Sequence, residues 1–283
     1  TVWLTDEAWN MVGGEYKADG CSTQNEYIEK AGKGVLGKNC ERFENFPILI
    51  KLIDAKDNLS VQVHPDNDYA MRVEGEYGKT EMWYVVDCDE GATLLYGFKH
   101  EITKEEFARR IADNTLLEVT NAVPVKKGDV FFIKSGTLHA IGKGILIAEI
   151  QQNSNTTYRI YDYGRVGKDG KPRELHVNKA LDVTKLAPAE QYPETPVEKK
   201  DGYDIKLLSK CEYFTTYRVN VETKAELDAD ENSFNSILVL EGEPVISGSE
   251  TVSAKKGESV FISAGTGKYT VEGKCTFVLT KID

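Results

Sequence analysis

Lys126-Lys127-Gly128-Asp129-Val130-Phe131-Phe132-Ile133-Lys134-Ser135-Gly136-Thr137 recurs downstream as Lys255-Lys256-Gly257-Glu258-Ser259-Val260-Phe261-Ile262-Ser263-Ala264-Gly265-Thr266. Each copy reads Lys-Lys-Gly-acid, an apolar strand, then a small residue, Gly and Thr. A second pair of strands agrees: Glu81-Met82-Trp83-Tyr84-Val85-Val86 resembles Asn235-Ser236-Ile237-Leu238-Val239-Leu240. A repeat of strand–turn units predicts two related β domains in tandem. The copies differ where chemistry would reside. His139 aligns with Lys268 and Glu81 with Asn235, so the second copy keeps the strands and loses the donors. That asymmetry places the chemistry in the first copy.

Other segments fit this frame. Short β-rich runs at Leu59–His64, Glu81–Val86, Thr93–Tyr96, Val130–Ile133 and Ile145–Gln151 are punctuated by Gly and Asp turns. A further apolar strand precedes them at Ile48–Ile53, and a helix is expected around Thr23–Ala31. Thr103 followed by Glu106 forms a capping box that opens a helix over Thr103–Ala112. Residues 187–202 (APAEQYPETPVEKKDG) are rich in Pro, Glu and Lys and read as a linker. The expected organisation is therefore a catalytic domain over 1–186, a linker over 187–202 and a degenerate second domain over 203–283.

The 283 residues suffice for one large or two ordinary cores, and the formal net charge is −11 with no basic run. This balance speaks against nucleic acid or an anionic membrane as partner. No apolar stretch reaches membrane-span length and no secretory signal is visible. The five cysteines, Cys21, Cys40, Cys88, Cys211 and Cys275, have no metal-type spacing. An odd number without a signal peptide predicts reduced thiols and a cytoplasmic protein. A start at Thr1 rather than Met predicts a natural start that is missing or processed.

The run Leu59-Ser60-Val61-Gln62-Val63-His64-Pro65 identifies the site. Side chains alternate across a strand, so Ser60, Gln62 and His64 share one face and Leu59, Val61 and Val63 the other. A hydroxyl, an amide and an imidazole in a row are donors for a metal ion or polar ligand. With Glu81 and His139 they supply two imidazoles, a carboxylate and an amide oxygen, a set suited to a divalent borderline metal such as zinc. The turn Gly142–Gly144 lacks the strand-to-helix context of a phosphate loop. His100 and His176 have no ligand-like neighbours and read as surface or structural.

Gly128 through His139 resembles the second signature of the cupin barrels, with Lys134 where proline is usual. Gln62-Val63-His64-Pro65, Gly78-Lys79-Thr80-Glu81-Met82-Trp83-Tyr84 and Ser135-Gly136-Thr137-Leu138-His139-Ala140 are similar to type I mannose-6-phosphate isomerases. So are the strand Phe46–Ala55 and the stretch Glu149–Asp162. The resemblance covers about 46–180; the family's Trp-Gly-Gly lead-in is absent, and Met11-Val12-Gly13-Gly14 is a poor substitute.

The resemblance implies tandem cupin-type jelly-roll barrels, mainly β, with a few helices around the first. It implies one zinc ion per chain held by Gln62, His64, Glu81 and His139, and a phosphorylated hexose as substrate. Ser60 and Lys79 would contact the phosphate end or reacting end of the sugar. Arg159 would lie over the reacting carbons, Glu149 would be an acid/base group, and Arg165 would help hold phosphate. A deep pocket lined by Gln62, His64, Glu81, His139 and Arg159 is expected, with the second barrel shielding or buttressing the first. Asn155, where the family often has Asp, and Lys134 depart from the pattern without removing a ligand.

Aldose–ketose isomerisation moves a proton between C1 and C2 through an enediol, and it needs a base, an electrophile and a proton shuttle. Lys79, two residues from a metal-bound Glu81, is expected to have a lowered pKa that suits acid/base work. Two alternatives stay open: a different metal-dependent cupin enzyme, such as a non-haem iron oxygenase, and a non-catalytic sugar-phosphate-binding cupin.

Overall fold

The computed structural model describes residues 2–3, 24–166 and 170–283. Met11–Gly14, Cys21 and the first residue of the helix expected over Thr23–Ala31 lie outside them; the rest of that helix is present as Gln24–Ala31. The chain is mainly β and falls into two compact units, Ile53–Tyr192 and Thr1–Leu52 with Pro193–Asp283. The sequence repeat divides the chain differently from packing, because the residues before Leu52 group with the C-terminal strands.

The unit Ile53–Tyr192 is built on two antiparallel sheets. One runs in the order Ile48–Ala55, Ile145–Gln152, Glu81–Cys88, Val130–Ile133, and the other Tyr158–Tyr161, Val61–Val63, His139–Ala140, Thr93–Phe98, Thr120–Pro124. Trp83, Val85 and Ile147 of the first sheet share a buried cluster with Leu94 and Tyr96 of the second, so the two inner faces pack together.

The aliphatic face of Val61–Val63 turns outward. Val61 and Val63 join Phe98, Phe107, Leu138, Ala180 and partly buried Leu181 in a second cluster. Phe107 comes from the helix Lys104–Ala112, and Ala180 and Leu181 from the helix Val177–Val183. These helices cover the outside of the sheet. The valines are buried there, which leaves the inside of the sandwich to Gln62 and His64. Thr103 Oγ1 accepts from the Glu106 amide at 3.1 Å, as the capping pattern predicts. The Glu106 carboxylate instead pairs with Arg110.

The repeat holds residue for residue. Glu81 lies opposite Ile133 and Asn235 opposite Ile262, the aligned positions of the two copies. The Lys-Lys-Gly-acid turn has one construction in both. Asp129 Oδ2 accepts from the Lys126 amide at 2.9 Å, and Glu258 Oε2 from the Lys255 amide at 2.7 Å. Gly128 and Gly257 sit at φ 91° and 85°, a region that glycine enters without a Cβ penalty. The C-terminal sandwich has a six-stranded and a four-stranded sheet around its own apolar core.

Part of the expected linker is ordered. Val197–Lys200 pairs antiparallel with Tyr203–Lys206 through a turn at Asp201-Gly202, forming the exposed edge of the six-stranded sheet. Gly202 at φ 81° makes that tight reversal possible. Among the described residues four cysteines are free, and no helix is long and apolar enough to cross a membrane.

Candidate active site

Three strands from two facing sheets bring the donors together. In the second sheet Arg159 lies opposite Gln62, Gln62 opposite His139, and His139 opposite Tyr96. Opposed residues share a face, so these side chains form one row across the sheet. In the first sheet Glu81 lies opposite Gln151 and Trp83 opposite Glu149. Lys79, Glu81 and Trp83 alternate onto the same side.

His64, Glu81 and His139 converge, with one ligand atom from each lying within 4.8 Å of the others. His64 Nε2 is 3.6 Å from Glu81 Oε2 and His139 Nε2 is 3.3 Å from Glu81 Oε1. The opposite ring nitrogens face backbone carbonyls: His64 Nδ1 meets Thr156 O at 3.0 Å, and His139 Nδ1 meets Thr137 O at 2.8 Å. A carbonyl only accepts, so each Nδ1 carries the hydrogen and each Nε2 turns its lone pair toward Glu81. Such fixing of the tautomer by the outer nitrogen is typical of metal-binding imidazoles.

His64 Nε2 and Glu81 Oε1 are buried and make no hydrogen bond among the described residues. Leaving each such atom unmatched costs about 1–3 kcal/mol. A divalent cation beside them would satisfy both, and the nitrogen and oxygen donors suit zinc and its neighbours in softness. Gln62 Nε2 lies 3.3 Å from His139 Nε2, and a half-turn of the amide exchanges nitrogen for oxygen there. Gln62 and Arg159 are only partly buried, whereas the other members are enclosed. The second copy shows the contrast. Buried Asn235, in the position of Glu81, donates to Asp228 O and Tyr269 Oη at 2.9 Å each and satisfies its own amide.

Lys79 is buried with its Nζ 2.7 Å from Glu81 Oε2 and 3.6 Å from Glu149 Oε1. The expected lowering of its pKa is not what these protein groups produce. Burial pushes the ammonium down, but the Glu149 and Glu81 carboxylates outweigh it and raise the pKa above the usual lysine value. Burial likewise pushes Glu81 up, yet the neighbouring Lys79 ammonium holds it well below the usual carboxylate range. Burial, helped by Lys79, pushes His64 down to about 3; His139 is also lowered, chiefly by burial.

Arg159 is anchored through its backbone, its amide donating to His176 Nδ1 at 3.2 Å and its carbonyl accepting from the His176 amide at 2.8 Å. His176 is thus structural, as expected, and specifically braces Arg159. Burial and the nearby Arg173 lower the Arg159 pKa, opposed by Asp162. Arg165 is engaged by protein groups. It donates to Asn58 O at 2.6 Å and shares the Asp162 carboxylate with Arg173. Ser60 is buried just ahead of Val61–Val63.

Sequence reasoning missed Trp83, whose indole Nε1 donates to Glu149 Oε2 at 2.9 Å. Alternation with Lys79 and Glu81 was the available signal. It also missed the carbonyls of Thr137 and Thr156, which no side-chain pattern could have marked.

Residues 14–91 match the family model "Phosphomannose isomerase type I, catalytic domain", and residues 204–282 match "Mannose-6-phosphate isomerase, cupin domain". The chain is 40% identical over 241 residues to mannose-6-phosphate isomerase ManA of Bacillus subtilis, covering 84% of this chain and 76% of that protein. It is 41% identical over 219 residues to mannose-6-phosphate isomerase of Streptococcus mutans, covering 77% of this chain and 68% of that protein. A crystal structure of mannose 6-phosphate isomerase from Bacillus subtilis superposes with a TM-score of 0.84 at 36% identity, covering 89% of this chain and 80% of that one. With its tandem cupin-type β units and its buried His–Glu–His cluster, this chain belongs to the type I mannose-6-phosphate isomerase family and is an isomerase of that family.

Proposed function

We propose that the chain interconverts mannose 6-phosphate and fructose 6-phosphate through an enediol, using one zinc ion held by Gln62, His64, Glu81 and His139. The observation that carries this reading is the convergence of two imidazole Nε2 atoms on the two oxygens of one buried carboxylate. Bound there, zinc would polarise a hydroxyl–carbonyl pair or orient a water.

The chain's own residues supply the remainder. Arg159 keeps its charge and stabilises the enediolate without surrendering a proton. Lys79 holds its proton between two carboxylates, and Glu149, 3.6 Å from it, is placed to exchange a proton with it. A cation ligated by Glu81 would weaken one of the two attractions that keep Lys79 protonated and bring it closer to acid/base duty. Ser60, Lys79 and Arg165 bind the phosphorylated sugar, with Lys79 and Arg159 addressing its reacting end. The partition into a catalytic domain over 1–186, a linker over 187–202 and a degenerate domain over 203–283 belongs to the same reading, as does a cytoplasmic location.

The test is a coupled assay for fructose 6-phosphate formed from mannose 6-phosphate, before and after chelation and with zinc restored. Turnover that vanishes with chelator and returns with zinc is expected. A fully metal-loaded protein without turnover would overturn the reading.

A further inference from the structure

Trp83 is fully buried, and a buried indole must find an acceptor for its N–H. It finds a carboxylate. Trp83 and Glu149 are register partners on adjacent strands, so the 2.9 Å bond from Nε1 to Glu149 Oε2 spans the shortest path between them. The other oxygen, Oε1, is the one 3.6 Å from Lys79 Nζ. Glu81, which has no indole on it, closes on the same ammonium to 2.7 Å. Glu149, bonded to the indole through Oε2, stands off from the ammonium through Oε1.

We infer that Trp83 is a positioning residue, whose indole N–H holds Glu149 so that Oε1 addresses Lys79 and the reacting end of the substrate. This deepens the isomerase reading and rests on it. Trp83 also packs in a T-shaped arrangement with His139, centroids 5.2 Å apart at 80°. Phenylalanine keeps an aromatic ring beside His139 and removes the N–H, together with part of the indole's volume.

The experiment compares wild type, Trp83→Phe, Glu149→Ala and the double variant, each with its metal content measured. Trp83→Phe should lower kcat about tenfold or more, with KM and bound metal near wild type, as loss of a hydrogen bond to a charged group implies. The double variant should be no slower than Glu149→Ala. Unchanged kcat in Trp83→Phe, a kcat loss that tracks metal loss, or additive effects would overturn the proposal.

A second readout needs neither turnover nor a folded Trp83 variant. The chain has three tryptophans, and the Trp83 indole N–H resonance should lie downfield and move upfield in Glu149→Ala. No movement would overturn the hydrogen bond itself. A wild type that shows the downfield resonance yet fails to isomerise mannose 6-phosphate would instead place the fault with the isomerase reading.

Discussion

Glu81 and His139 meet across the inside of the sandwich, Oε1 to Nε2 at 3.3 Å, with both side chains wholly buried. They come from facing sheets and are 58 positions apart in the sequence. The pair is sustained by the Thr137 carbonyl behind the imidazole and the Lys79 ammonium beside the carboxylate.

Removing His139 should therefore remove the metal. His139→Ala is expected to lose bound zinc and activity together, read as metal per chain after dialysis and as turnover. Bound zinc at the wild-type level would refute the ligand assignment.

Arg159 should behave in the opposite way. It stands beside Gln62 in register but outside the His64–Glu81–His139 cluster. Arg159→Ala is expected to keep its metal and lose about 10²-fold or more in kcat, the scale of one electrostatic stabiliser. Arg159→Lys should restore little, because a point charge does not reproduce a guanidinium plane. Wild-type kcat in Arg159→Ala would remove it from the mechanism.

Chelator-treated protein should be sensitive to acid. The folded pKa of His64, about 3, lies below its unfolded value near 6.5, so the unfolded chain takes up the proton first. Stability is complete above about pH 6.5 and falls as pH drops toward 3, by about 1.4 kcal/mol per pH unit in between. Glu81, also depressed, adds a loss of the same sign below its unfolded value of about 4.5. Melting temperatures across pH 7 to 4 in chelator report this, and a flat profile would contradict the burial argument.

The segment before Leu52 should not survive without the C-terminal strands. Lys38 and Asn39 amides donate to Glu231 and Asn232 carbonyls, and the Ala264 amide to Val35 O. Gly37, at φ 89°, lies so close that a Cβ would sit 2.5 Å from the Asn232 backbone. Gly37→Ala is expected to cost about 2 kcal/mol or more in a urea titration. Deletion of Gly202–Asp283 should give insoluble or partly unfolded chain, and a soluble, fully active product would refute it.

Much of this was legible because it is local. The Lys-Lys-Gly-acid turn closes on its own amide in both copies, so composition alone dictates it. Thr103 caps its helix for the same reason. The alternation of Leu59–Pro65 sorted Gln62 and His64 onto one face before any partner was known. The short strands His139–Ala140 and Tyr158–Tyr161 and the helices Asn67–Val73 and Val177–Val183 were less visible, since each depends on neighbours more than on its own pattern.

The residue types of the site and the repeat that frames them were thus determined by the sequence itself, through alternation and turn chemistry acting within a few residues. Tertiary structure decided which face of Val61–Val63 turns inward, because helices from 104–112 and 177–183 bury its valines on the outside. It also decided the surroundings that raise the pKa of Lys79. Two carboxylates from separate strands outweigh the cost of burying its ammonium, a balance that depends on distances no spacing in the chain encodes.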